Sequence, residues 1–190
     1  MNAPVAAAPV RLLTVCTGNL CRSPVAEHLL RQGLDDSVAV RSAGVRAVVG
    51  GAIDPPVAAF LRRSGVRAEG FRAHQVTDAS IVEADLVLAL ATEHRSAILR
   101  RVPGAVRRTY TLREFARIAH ALDPVALTGH TSAERLRQLL PRVSLARAIT
   151  ARPENGDDVP DPTGRDAAAY ARALRLIAES VETIVRAVES

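Results

Sequence analysis

Residues 85–91 read DLVLALA, apolar at every position after the aspartate. A strand with one face in water alternates apolar and polar side chains. An unbroken run of this length therefore belongs to a strand covered on both faces, as in a parallel sheet between helices. The rest of the chain keeps that rhythm. Arg11 to Val15 (RLLTV) and Val38 to Ser42 (VAVRS) are short strand candidates, and Arg107 to Leu112 is a weaker one. Helix candidates fall between them, at Ser23 to Gln32, Pro55 to Arg63, Thr92 to Arg101 and Arg113 to Leu122. Ser23 is placed to cap the first of these and Gly33 to stop it. A last helix, Asp166 to Glu189, aligns Leu174, Ile177, Ala178, Val181, Ile184, Val185 and Val188 on one face. Strands alternating with helices imply an α/β fold, a parallel sheet with helices on both sides.

One region departs from the pattern. Thr131 and Glu134 have capping-box spacing at the start of a helix to Leu140, whose apolar edge is Leu136, Leu139 and Leu140. Residues 123–155 read as a helical insertion packed on a single domain that spans residues 10–190. The sharper alternative is a partner-binding helix. Residues 1–9, rich in alanine and proline, read as a disordered tail.

Composition narrows the function classes. A chain of 190 residues, 48% of them hydrophobic, can bury a real core. No apolar run approaches a membrane span, and the start lacks the basic segment and long apolar core of a signal peptide, so a cytoplasmic location and no membrane partner are expected. Every one of the 25 basic residues is arginine and the net charge is +5, yet the arginines are scattered among 20 acids and aromatics make up only 3%. That pattern suits a solvated surface better than a nucleic-acid face. The two cysteines, Cys16 and Cys21, are too few for a disulfide framework and lack the histidine partners of a zinc site. No metal or cofactor is expected.

Both cysteines lie in VCTGNLCRSP, the loop between the first strand and the first helix. Such a loop sits at the carboxyl edge of a parallel sheet, where ligands bind. Its amides, together with the helix N-terminus, can curl around an anion, with Gly18 supplying conformational freedom. The loop lacks the lysine of a nucleotide P-loop, and the chain has none. The same dipoles favour the thiolate of Cys16, a nucleophile toward phosphorus. Arg22 can grip two phosphoryl oxygens with its planar fork, and the Ser23 hydroxyl can donate to the sulfur. Cys21, five residues from Cys16, is a partner for a reversible disulfide that would protect the nucleophile; the plainer reading is a small apolar filler.

CTGNLCRSP at 16–24 resembles the active-site loop of the low molecular weight protein-tyrosine phosphatases, a family that includes thioredoxin-coupled arsenate reductases. The resemblance continues through RSAG at 41–44, the pattern from Phe71 through His74 to ADLVLAL at 84–90, LREFA at 112–116 and VPDPTGRDAAAY at 159–170. It implies a flavodoxin-like, three-layer α/β/α fold with a central parallel four-stranded sheet. It also implies metal-free hydrolysis of phosphomonoesters through a phosphocysteine, with a phosphotyrosine protein as partner and inorganic phosphate as product. On this match Cys16, Arg22 and Asp161 are catalytic. Thr17, Gly18, Asn19, Leu20, Cys21, Arg22 and Ser23 form the phosphate cradle, and Ser42 and His74 hold Asn19. Asp161-Pro162 is taken as the acid loop because it precedes the closing helix. Asp123-Pro124 is the rival, and Asp157 and Asp158 lie nearby.

The chain departs from tyrosine-directed members where it has Thr163-Gly164 after the Asp-Pro and VRAVVGG after RSAG, both without aromatics. Leu20 is apolar as in tyrosine-directed members, whereas phosphoarginine-directed ones tend to carry threonine there. Phosphotyrosine is the first reading. A catalytically weak phosphoprotein-binding module and a phosphoarginine phosphatase stand behind it. Arsenate reduction is disfavoured, since no further cysteine is present to relay a disulfide.

Overall fold

The computed structural model describes residues 8–122, 127–150 and 156–189. Residues 1–7 of the expected tail, the rival Asp123-Pro124, and 151–155 of the expected insertion lie outside the described residues. Four strands, β1 (Val10–Cys16), β2 (Val38–Gly44), β3 (Leu86–Ala89) and β4 (Thr109–Thr111), form one sheet in the order β2-β1-β3-β4. Every pairing is parallel. The strands are joined and followed by α1 (Arg22–Gly33), α2 (Pro55–Arg63), α3 (Asp78–Glu83), α4 (Thr92–Arg101), α5 (Leu112–Ala121), α6 (Ser132–Ala146) and α7 (Ala167–Glu189).

The apolar run that opened the sequence reading acts as its composition requires. Along β3, Leu86 and Leu88, with Leu90 beyond its end, enter the core shared with α1, α5, α6 and α7. Val87 and Ala89 enter the core under α3 and α4 on the opposite face. A period of two thus buries every side chain of the strand. The result is three layers, helix, sheet and helix, in a flavodoxin-like arrangement. Among the described residues, no helix is long and apolar enough to cross a membrane.

Several local details differ from the sequence reading. Ser23 does not cap α1: the N-cap is Cys21, without a side-chain bond, and Ser23 lies inside the first turn, its hydroxyl used elsewhere. Gly33 is less a stop than a contact point, since a Cβ there would stand 2.6 Å from Val185 Cγ2 of α7. α6 runs past Leu140 and through Pro141 to Ala146. Proline breaks a helix only when its lost hydrogen bond is not offset, and here Ala133, Leu136, Leu139 and Val143 are buried in the main core. Beyond its C-terminus, Arg147 grips both carboxylate oxygens of Glu114 at 2.9 and 3.0 Å and lies over the Tyr110 ring. Thr131 accepts from the Glu134 amide, but the Glu134 carboxylate takes the N–H of His130 rather than closing a capping box. The short helix α3, capped reciprocally by Thr77 and Ser80, is absent from the sequence reading, because one and a half turns carry too little periodicity to detect.

Candidate active site

The sheet order places the loops after β1 and β3 on either side of the point where the chain changes direction, where a crevice opens at the carboxyl ends of the strands. Residues 16–23 occupy the first of these loops. The carbonyls of Cys16, Thr17, Gly18 and Leu20 turn outward and accept from the N–H groups of Val45, Arg46, Val48 and Asp54 at 2.9–3.1 Å. Each peptide N–H points opposite its carbonyl. Those of Thr17, Gly18, Asn19 and Cys21 therefore face inward, and they find no backbone acceptor among the described residues. Unpaired convergent amides at the start of a helix form an anion site. Gly44, opposite Cys16 in the register, makes the wrap possible: a Cβ there would stand 2.5 Å from the Thr17 carbonyl oxygen.

The strained position of the loop is not Gly18. Its φ is not positive, and a Cβ there would meet only Val48 at 4.0 Å. Asn19 takes the left-handed conformation, with φ 57°, which asparagine tolerates better than most residues. Its side chain holds that shape. Nδ2 donates to Ser23 Oγ at 2.9 Å and Ser42 Oγ at 2.8 Å, and Oδ1 accepts from the backbone N–H of His74 at 2.8 Å. Ser42 engages Asn19 through its hydroxyl as expected. His74 contributes only its main chain, and its imidazole is exposed. A further partner went unseen in the sequence: the Ser42 hydroxyl donates to the buried Glu27 carboxylate at 2.6 Å.

Cys16 is buried at the strand end, its sulfur 3.0 Å from Ser23 Oγ. Arg22, also buried, reaches across to the segment before α7. Nη1 donates to the Val159 carbonyl at 3.1 Å and Nη2 to Asp161 Oδ2 at 2.6 Å. Asp161 keeps a side-chain exposure of 46%, so it faces both the arginine and the solvent. Its neighbours are committed elsewhere. Asp157 pairs with Arg117 at 2.7 Å, and Asp158 Oδ1 accepts from both the N–H and the hydroxyl of Thr92 at 2.7 Å. Val159 N–H donates to the Leu90 carbonyl at 2.9 Å, and Arg113 donates to the carbonyls of Gly156 and Asp158. The loop is pinned on both sides of Asp161, whose carboxylate faces Arg22 and accepts from the Thr163 N–H at 3.1 Å.

Cys21 and Cys16 are both free thiols. Burial, with the nearby Asp54 charge second, pushes the Cys21 thiol far above its ordinary range. Leu20 is half-buried, Val48 and Val49 are 56% and 70% exposed on the loop that donates to the Gly18 carbonyl, and the Tyr170 hydroxyl donates to Asp54 at 3.3 Å beside Leu20. His94, on the first turn of α4, is the residue the sequence reading missed at this site. Its imidazole is 1% exposed and its Nε2 lies 2.9 Å from Thr17 Oγ1. The one available signal was position, a few residues past the carboxyl end of the central strand.

Comparisons with known proteins agree with this geometry. Residues 11–146 match the family model described as low molecular weight phosphotyrosine protein phosphatase. That match covers the cradle and ends before Asp161, whose placement rests on the contacts above. A protein-arginine-phosphatase of Geobacillus stearothermophilus is 39% identical over 107 residues, 56% of this chain and 72% of that one. The probable low molecular weight protein-tyrosine-phosphatase EpsP of Ralstonia solanacearum is 37% identical over 103 residues, 54% of this chain and 70% of its own length. Among solved structures, the YwlE arginine phosphatase from Geobacillus stearothermophilus superposes with a TM-score of 0.70 at 27% identity, covering 95% of this chain and 94% of that one. A cradle of inward amides around a buried cysteine, on a sheet matched almost end to end, is thus accounted for by descent: the chain belongs to the low molecular weight phosphotyrosine protein phosphatase family.

Proposed function

We propose that this phosphatase acts on phosphotyrosine proteins, with Cys16 as nucleophile, Arg22 as phosphoryl clamp and Asp161 as general acid and base. The observation that carries the assignment is the 2.6 Å contact between Arg22 and Asp161, which brings residues 139 positions apart to the mouth of one cradle. The phosphoryl group sits among the inward amides of Thr17, Gly18, Asn19 and Cys21. The Cys16 sulfur attacks phosphorus as the thiolate, and the bond from phosphorus to the phenolic oxygen breaks. Asp161 gives its proton to that oxygen and tyrosine departs. Arg22 turns its fork onto two equatorial oxygens and holds the charge that spreads onto them. In the second half Asp161 takes a proton from water, the resulting hydroxide oxygen bonds to phosphorus, and the sulfur leaves with the electron pair. Ser23 donates to the sulfur and makes it a better leaving group. Inorganic phosphate is released.

Leu20, Val48 and Val49 supply an apolar wall suited to the flat face of a phenyl ring. A second reading, phosphoarginine, draws support from the similarity to arginine phosphatases in sequence and fold. Turnover of phosphotyrosine, phosphoarginine and phosphoserine peptides by wild type, Cys16→Ser and Asp161→Asn separates them. The expected order has phosphotyrosine highest in kcat/KM, no turnover by Cys16→Ser, and a loss of about 10²–10⁴-fold in kcat for Asp161→Asn. Turnover retained by Cys16→Ser would overturn the nucleophile, and preferred hydrolysis of phosphoarginine would overturn the substrate.

A further inference from the structure

The hydrogen bonds around the Thr17 side chain leave one proton without a protein acceptor. Nε2 of His94 lies 2.9 Å from Thr17 Oγ1 and 3.2 Å from Glu93 Oε1. The Glu93 carboxylate makes no aligned hydrogen bond to the ring, but its approach favours a proton on Nε2, which then donates to Thr17 Oγ1. The other ring nitrogen, Nδ1, is buried without a partner among the described residues. Leaving a bare lone pair there is cheaper than burying an unpaired N–H, which favours the same tautomer. Arg22 Nη2 is the second donor to Thr17 Oγ1, at 3.4 Å, and an arginine has no acceptor. A hydroxyl has two lone pairs and one proton. With His94 on one lone pair and Arg22 on the other, the Thr17 proton is left to point away from both.

We propose that the Thr17 hydroxyl is a catalytic donor that gives a hydrogen bond to a phosphoryl oxygen in the cradle, and that His94 is the positioning residue that turns it there. The inference rests on the reading of residues 16–23 as the phosphate cradle. Thr17 thereby adds a side-chain donor to the loop amides, next to Arg22 and on the rim nearest α4. A neutral imidazole suits the task, because a second cation beside Arg22 would be repelled. Burial first, and Arg22 second, hold the His94 pKa down to about 4, so the ring is uncharged at neutral pH. The same turn of α4 is tied to the acid loop through Thr92 and Asp158, so one helix end is registered against both halves of the site.

The test measures inorganic phosphate binding by calorimetry in the Cys16→Ser background, where no turnover interferes, alongside kcat and KM in otherwise wild-type protein. Thr17→Val keeps the shape and removes the hydroxyl. It is expected to weaken phosphate binding and kcat/KM by about 10–100-fold, the range for one hydrogen bond to a charged group. Thr17→Ser should recover most of that loss. His94→Phe should reproduce the Thr17→Val loss, and the double variant should lose no more than either single one, because both remove the same donor. Phosphate binding by Thr17→Val within about twofold of its parent would overturn the proposal, as would fully additive losses. If the Cys16→Ser parent itself fails to bind phosphate, the cradle reading fails, and this inference with it.

Discussion

Replacing Asn19 by alanine should cost far more than the loss of one polar side chain. The amide makes three hydrogen bonds, to Ser23 Oγ, Ser42 Oγ and the His74 N–H, all between 2.8 and 2.9 Å. At about 1 kcal/mol for each such bond between neutral groups, they contribute about 3 kcal/mol. Alanine must also take a φ of 57°, which adds about 1 kcal/mol. The expected loss is therefore about 4 kcal/mol, a large share of the roughly 5–15 kcal/mol that holds a typical domain together. Urea unfolding followed by circular dichroism gives the value, seen as a lower midpoint with an unchanged slope. Combining Asn19→Ala with Ser42→Ala should show a coupling of about 1 kcal/mol, since the pair shares a bond. A loss under about 1 kcal/mol for Asn19→Ala would refute the account, because the loop would then hold its shape without this clamp.

Other outcomes follow from single contacts. Gly33→Ala places a methyl group 2.6 Å from Val185 Cγ2 and should destabilise by about 1–2 kcal/mol in denaturant unfolding, with Val185→Ala restoring most of it. His94 has a folded pKa of about 4 against an ordinary 6.5. The unfolded chain thus binds that proton more readily, and stability from this group is complete above pH 6.5 and lost as pH falls to about 4. The difference amounts to about 3 kcal/mol, and His94→Gln should flatten that part of the stability profile. After peroxide treatment, activity is expected to return with a dithiol through a Cys16–Cys21 disulfide detectable by mass, and Cys21→Ser should not recover. Arg117→Ala frees Asp157 from its 2.7 Å pair and should lower kcat by loosening the acid loop, while phosphate affinity in the Cys16→Ser background stays unchanged.

Much of the architecture was legible because it follows from local periodicity. DLVLALA required two covered faces, and the sheet covers both. The helix from Asp166 showed its buried face, although Ala173 and Ser180 are also buried and Ala178 and Val185 are only partly so. The cradle was legible because Cys16, Arg22 and Ser23 lie within one turn of chain, where spacing dictates geometry. Errors arose where the deciding partner was distant in sequence. Ser23 has the composition of a cap, but Cys16 and Asn19 claim its hydroxyl. Gly18 has the freedom for a left-handed turn, but the amide bonds of Asn19 place the turn there.

By itself, then, the order of residues determined the class of fold and singled out the loop proposed as the cradle, with Cys16 as its proposed nucleophile, since each reading depends on neighbours a few positions apart. Only the tertiary structure decided which of several aspartates faces Arg22, that His74 acts through its main chain, and that His94 stands behind Thr17. Those choices are made by contacts spanning 55 to 139 positions. No local propensity encodes them, because they exist only once the strands have aligned their carboxyl ends along one edge.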